Sequence, residues 1–266
     1  MRMLVTTAVS IYLTTALVTL LVLSEARAQV PAYDFYPDFR KWWFALPDDQ
    51  RRPMEAVIER YSERLHREGV GAEEIARRLE LIRDKRQELE SDYWNRHLTA
   101  AQPSFNTAPN EWLVSVLADR KPGRALDVGM GEGRNTLYLA RKGWDSTGFD
   151  PAAKAVALAS SRAVQEGLTI HTQVALDRDF DFGHAQWDLI LFSWMPVNEP
   201  ARVLEALRPG GAVVVESPEA WYPLNGLLKM FEGLRIVRYE DRPRQADFFE
   251  RRQMPVVRLL AEKPTP

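Results

Sequence analysis

Apolar positions follow three successive patterns along this chain. From Met3 to Leu23 they form a nearly continuous run, diluted by threonines and free of charge. From about residue 48 to residue 97 they recur at helical spacing. Met54, Ile58, Tyr61 and Leu65 come first, then Ile75, Leu79, Ile82, Leu89 and Tyr93, at intervals of 3 and 4 broken only at Arg86. The spacing predicts two amphipathic helices, residues 48–68 and 72–97, separated by "EGVG". Together they form a helical hairpin extension over residues 48–100. Before it, residues 29–47 hold aromatics and prolines and read as an extended linker. After Pro103 short apolar bursts alternate with helical stretches. Strands are expected at 125–128, 146–149, 169–174, 187–192 and 212–216. Helices are expected at 111–117, 135–142 and 151–166, the last two closed by Gly143 and Gly167. This alternation predicts an α/β domain over residues 101–266 with a parallel sheet covered on both faces. Residues 234–239 and 255–261 are two further strands with no helix between them, so they are expected to pair antiparallel at one edge.

The first segment has two readings. Arg2 precedes the apolar run, and Ser24, Glu25 and the A-x-A of Ala26-Arg27-Ala28 follow it, as in an export signal cut to leave Gln29 first. The run is also long enough to serve as an uncleaved membrane anchor. Either reading places the protein in the cell envelope or at a membrane, and residues 1–28 are set apart from the fold.

Composition narrows the chemistry. Charged residues are 27% of the chain and nearly cancel, to a formal net charge of −2, so no basic surface for nucleic acid is expected. There is no cysteine, which removes thiolate nucleophiles, disulfides and cysteine-bound zinc. The four histidines, His66, His97, His171 and His184, include no pair at i, i+4, and no metal site is expected.

The candidate chemistry lies in "ALDVGMGEGRNTLYLARKGWDSTGFDPAA", residues 125–153. Gly129, Gly131 and Gly133 follow a strand and precede a helix, a place where backbone N–H groups meet a ligand closely. The spacing is G-x-G-x-G rather than the dinucleotide G-x-G-x-x-G, and Arg134 stands where the third glycine of that fingerprint falls. Asp127 repels a pyrophosphate but suits an amino group, and Asp150 closes the second strand where ribose hydroxyls are held. A ligand with a ribose, no phosphate and a cationic tail fits these residues. The chain here resembles the class I S-adenosylmethionine-dependent methyltransferases over roughly residues 92–262. "LDVGMGEGRN" is similar to their first motif, "GFDPA" to the second, and "LRPGGAVVVE" to the entry into the fifth strand. "YWNRHL" and "FNTAPNEWL" resemble the lead-in of small-molecule members near the tellurite-resistance and thiopurine groups.

The resemblance implies a Rossmann-like doubly wound sheet and S-adenosylmethionine as cofactor. It implies that Asp127, Gly129, Gly131 and Gly133 hold the methionine portion and Asp150 the ribose. Asp177, with Asp179 as the alternative, is implied for the adenine amino group, although the stretch between the third and fourth strands is short for the helix often found there. Acceptor contacts are expected after the fourth strand at Ser193, Trp194 and Met195, with Trp94, Trp221 and Tyr222 as further wall residues and Glu216 as the candidate base. The acceptor is expected to be a small molecule or lipid-like, and the helical hairpin is expected to cap the cleft. The competing readings are a non-catalytic S-adenosylmethionine-binding scaffold and a dinucleotide-dependent oxidoreductase.

Overall fold

The computed structural model describes residues 35–47, 50, 54–118, 120–248 and 252–265. The chain divides into two compact units, residues 1–86 and 87–266.

In the first unit three helices are described: α1 (Tyr36–Ala45), α2 (Met54–Arg67) and α3 (Ala72–Asp84). Here the reading of residues 29–47 as an extended linker is corrected over Tyr36–Ala45, which are helical. Phe35, Phe39 and Trp43 fall at i, i+4 and i+8 and are all buried, and Pro37 sits in the first turn, where it removes no helical hydrogen bond. Proline and aromatic content had masked a helical period. Phe39 meets Tyr61 of α2 edge-on at 4.9 Å between ring centroids. Met54, Ile58, Tyr61 and Leu65 of α2 and Ile75 and Ile82 of α3 are buried, the apolar stripes that the spacing predicts. The second predicted helix is two. A break at Lys85 separates α3 from α4 (Arg86–Leu98), at the point where Arg86 interrupts the apolar stripe.

The second unit is an α/β fold. It comprises α5 (Glu111–Leu117), β1 (Arg124–Val128), α6 (Arg134–Arg141), β2 (Asp145–Asp150), α7 (Ala153–Gln165), β3 (His171–Val174) and β4 (Trp187–Ser193). These are followed by α8 (Pro200–Ala206), β5 (Leu207–Pro218), α9 (Gly226–Met230), β6 (Arg235–Gln245) and β7 (Gln253–Glu262). The sheet runs β3-β2-β1-β4-β5-β7-β6. The first five strands are parallel, and β7 inserts antiparallel between β5 and β6. No helix separates β3 from β4 among the described residues.

Burial on both faces explains why the central strands read as continuous apolar runs. In β4, Leu189 and Leu191 join Trp112, Leu113 and Leu139 from α5 and α6 in one core layer. Ile190 and Phe192 point the other way, into a layer with Val203, Leu227 and Phe231. Strand order reverses direction at β1 and β4. Ligands of open α/β sheets lie beyond the carboxyl ends of strands at such a switch point.

The membrane placement expected from the opening segment is corrected. Among the described residues no helix is long and apolar enough to cross a membrane. Residues 1–28, on which that expectation rested, lie outside the described residues.

Candidate active site

The turn out of β1 shows why glycine is needed there. Gly129, Gly131 and Gly133 all have positive φ, 70°, 55° and 83°. At Gly133 the requirement is double, because a Cβ would also stand 2.6 Å from the Ala159 Cβ of α7. Gly129 and Met130 donate their N–H groups to the Phe149 carbonyl, each at 3.0 Å, which ties the loop to β2.

Two carboxylates flank this loop. Asp150, at the end of β2, accepts from the Gly131 N–H at 3.0 Å and from the Ala152 N–H at 2.8 Å. Burial pushes its carboxyl above the usual range, against those two backbone bonds. Asp127, at 1% exposure, accepts from the Thr136 hydroxyl at 2.7 Å. Burial raises its carboxyl to about 6, opposed by the Thr136 bond and the Arg134 charge and assisted by the Asp150 charge. The structure therefore brings Asp127, Asp150 and the three glycines together around one loop.

The last turn of α4 lies against the same loop. A Cβ on Gly131 would be 3.3 Å from the Leu98 side chain, and one on Gly129 would be 3.0 Å from Met195. The Asn95 side-chain oxygen accepts from the Lys154 N–H at 2.7 Å, and the Gln87 oxygen accepts from Arg178 at 2.6 Å. The part of the predicted hairpin that falls in the second unit thus spans from the turn after β3 to the glycine loop.

Asp177 is engaged in its own turn. One oxygen accepts from the Arg178 N–H at 2.9 Å, the other from the Asn198 amide at 2.6 Å. Asp179 is exposed, with Arg178 at 3.7 Å.

At the ends of β4 and β5 the candidate acceptor residues divide. Ser193 accepts weakly from Arg134 at 3.4 Å. Trp194 has φ 59°, uncommon for a non-glycine residue, and its N–H donates to the Glu216 carbonyl at 2.8 Å. Trp194 and Trp94 share an apolar cluster with Leu98, Phe105 and Phe248. Tyr222 is packed in the core layer with Val197 and Phe231 instead, and Trp221 is 41% exposed. The structure does not bring those two to the cluster. Glu216 is 1% exposed, and one of its oxygens accepts from Arg258 Nε at 2.8 Å. The other has no hydrogen-bond partner within bonding geometry, and burial raises the carboxyl, opposed by Arg258, assisted by the Asp247 charge and opposed again by the nearby Asn110 amide.

A polar network that the sequence reading missed underlies this end of the sheet. Arg134 donates to the Asp247 carboxylate at 2.8 Å, and both side chains are 5% exposed. The same carboxylate accepts from Asn106 at 2.7 Å and from Asn110 at 2.9 Å. Asn110 also caps α5, accepting from the Leu113 N–H. The available signal was an arginine directly after the third glycine, too large and too charged for a loop–helix junction without a buried partner. A cavity of about 600 Å³ lies at the opposite, amino-terminal end of the parallel strands, bordered by Gly123, Trp144 and Asp188, away from these residues.

Residues 125–211 match the family described as a methyltransferase domain. The chain is 32% identical over 128 residues to the 2-heptyl-1-hydroxyquinolin-4(1H)-one methyltransferase of Mycobacteroides abscessus, covering 44% of this chain and 56% of that protein. It is 39% identical over 66 residues to the probable S-adenosyl-L-methionine-dependent methyltransferase TehB of Haemophilus influenzae, 25% of this chain and 23% of that one. A solved structure from the conversion of a disulfide bond into a thioacetal group during echinomycin biosynthesis superposes with TM-score 0.53 at 19% identity, over 67% of this chain and 92% of that chain. At that identity the likeness concerns the fold alone. The α/β unit thus has a Rossmann-like fold that carries, over residues 125–211, a match to the methyltransferase domain family. Over the stretches given above it is similar to these methyltransferases, TehB among them. The chain spans little more than half the length of the first curated relatives it matches, 55–60%.

Proposed function

We propose that this chain binds S-adenosylmethionine and transfers its methyl group to a small, ring-bearing acceptor. The observation that carries this reading is the Asp150 carboxylate, which joins the Gly131 and Ala152 N–H groups beside three positive-φ glycines. A buried acceptor at the end of β2 suits a ribose diol, and the loop offers backbone rather than side chains to what lies above it.

The residues present fit that cofactor. Asp150 takes the ribose. Asp127 and the glycines take the amino-acid tail, where buried carboxylates suit a positive ligand. Asp177 takes the adenine amino group, at the expense of its bond from Asn198. When bound, the cofactor supplies an electrophilic methyl group on a sulfonium. The chain's own contribution is alignment, exclusion of water and acceptance of a proton. Trp94, Trp194 and Met195 form the apolar side of the acceptor site, and Ser193 lies at its base. Glu216 takes the acceptor's proton on the oxygen that has no partner, its raised carboxyl placing it closer to neutrality, where a general base is effective. The relative named for a hydroxyquinolone, a flat ring with an apolar chain, supports an acceptor of this chemistry.

The test is calorimetry and a methyl-transfer assay with hydroxylated aromatic acceptors. Wild-type protein is expected to bind S-adenosylmethionine, and Asp150→Ala to lose about 1.5–3 kcal/mol of that binding. Equal binding by the variant removes the ribose assignment. Binding of NAD in place of S-adenosylmethionine removes the reading as a whole.

A further inference from the structure

Three carboxylates lie within the glycine-loop region, and the roles above use only Asp127 and Asp150. The third is Glu132, between Gly131 and Gly133. It is 2% exposed, and its Oε1 has no hydrogen-bond partner. Its electrostatic neighbours are Arg134, Arg162 and Asp127. Both guanidinium charges favour its ionised form, but neither is bonded to its carboxylate. Arg134 is bonded to Asp247 and to the carbonyls of Asn106 and Ala108, while Arg162 reaches the Glu132 main-chain carbonyl, at 3.4 Å, rather than the carboxylate. Among the described residues, none of Asp127, Glu132 and Asp150 forms an ion pair. The Glu132 main-chain N–H serves its own carboxylate, but Oε1 stays bare, and a buried carboxylate oxygen with no donor is unfavourable unless it is protonated or a ligand completes it. Asp150 is met by two N–H groups and Asp127 by a hydroxyl. Glu132 has an oxygen left over in a loop built to meet a ligand.

We infer that Glu132 is a ligand-binding residue of the loop, which receives the α-ammonium group of the cofactor's amino-acid end. Only this group supplies a compact cation with three donors, matching a carboxylate oxygen left bare. The adenosine end carries no positive charge to offer, and the sulfonium carries no N–H. Glu132 then discriminates ligands by their amino-acid end, whereas Asp150 discriminates by the ribose. Burial raises the Glu132 carboxyl, which agrees with a group waiting for a cation.

This inference rests on the proposed cofactor, and the experiment separates the two. Three ligands are titrated into wild type and Glu132→Gln: S-adenosylmethionine, S-adenosylhomocysteine and 5′-methylthioadenosine, which lacks the amino-acid end. The expected result is an affinity loss of about tenfold or more for the first two in Glu132→Gln, with the third unchanged. Glu132→Asp, which keeps the charge but shortens the reach, is expected to fall between. Removing a buried charge should leave the melting temperature of Glu132→Gln equal or higher, which guards against a folding artefact. Equal losses for all three ligands, or no loss for any, overturn the assignment of Glu132 while leaving the cofactor intact. Failure of wild type to bind S-adenosylmethionine at all overturns the cofactor reading and this inference with it.

Discussion

At the scale of single residues the site sets binding against stability. Asp127 is ionised at neutral pH inside the protein although burial holds its carboxyl at about 6, against 3.8 in the free residue. A folded-state pKa above the unfolded one stabilises the fold below pH 4, and that stabilisation is lost as pH rises through about 6. The shift corresponds to roughly 3 kcal/mol. Asp127→Asn is therefore expected to melt higher than wild type at pH 7, with the difference vanishing below about pH 4, while binding S-adenosylmethionine more weakly. Melting curves across pH, paired with titrations, check both halves. Gly133 gives a second prediction at this scale. Gly133→Ala forces a side chain onto φ 83° and onto Ala159, at an expected loss of about 1–3 kcal/mol. Adding Ala159→Gly should recover only the crowding part, because the left-handed backbone remains.

At the scale of elements, legibility followed the range of the signal. The glycine loop, Asp150 and the antiparallel final strands were readable because each rests on a few adjacent residues or on a strand without a following helix. The helix α8 was not read, because only Val203 and Ala206 of its seven residues are buried and they draw no apolar stripe, unlike Trp112, Leu113 and Leu117 of the equally short α5. The helix α1 was hidden by its prolines and aromatics, although its burial follows an i, i+4 rhythm. The Arg134–Asp247 network lay beyond local reading altogether, since its members come from the lead-in segment, the loop helix and the final hairpin. Its members nonetheless fix those three elements to each other. Asp247→Ala leaves the Arg134 guanidinium buried without its counter-charge and is expected to destabilise the fold by about 3–5 kcal/mol. Asp247→Asn, which still accepts one hydrogen bond, should lose less. Denaturant melts of the two variants decide this, and equal losses would show that shape rather than charge holds the network.

At the scale of the whole molecule, residues 87–266 contain the entire sheet and every candidate site residue. A fragment of those residues is expected to fold and to bind S-adenosylmethionine within a few-fold of the full chain, as titration of both will show. The near-neutral charge of the chain agrees with a small-molecule acceptor more than with a nucleic acid. Asp247 is made 113 residues after Arg134 and 141 after Asn106, yet it binds both. During synthesis the loop, its helix and the capping asparagine all emerge long before the carboxylate that joins them. Contacts so distant in sequence close slowly, because the intervening chain must first be ordered. The first half of the domain must therefore carry an unpaired Arg134 until the last hairpin docks. Completion of the final two strands then becomes the event that turns a partly assembled sheet into a competent site.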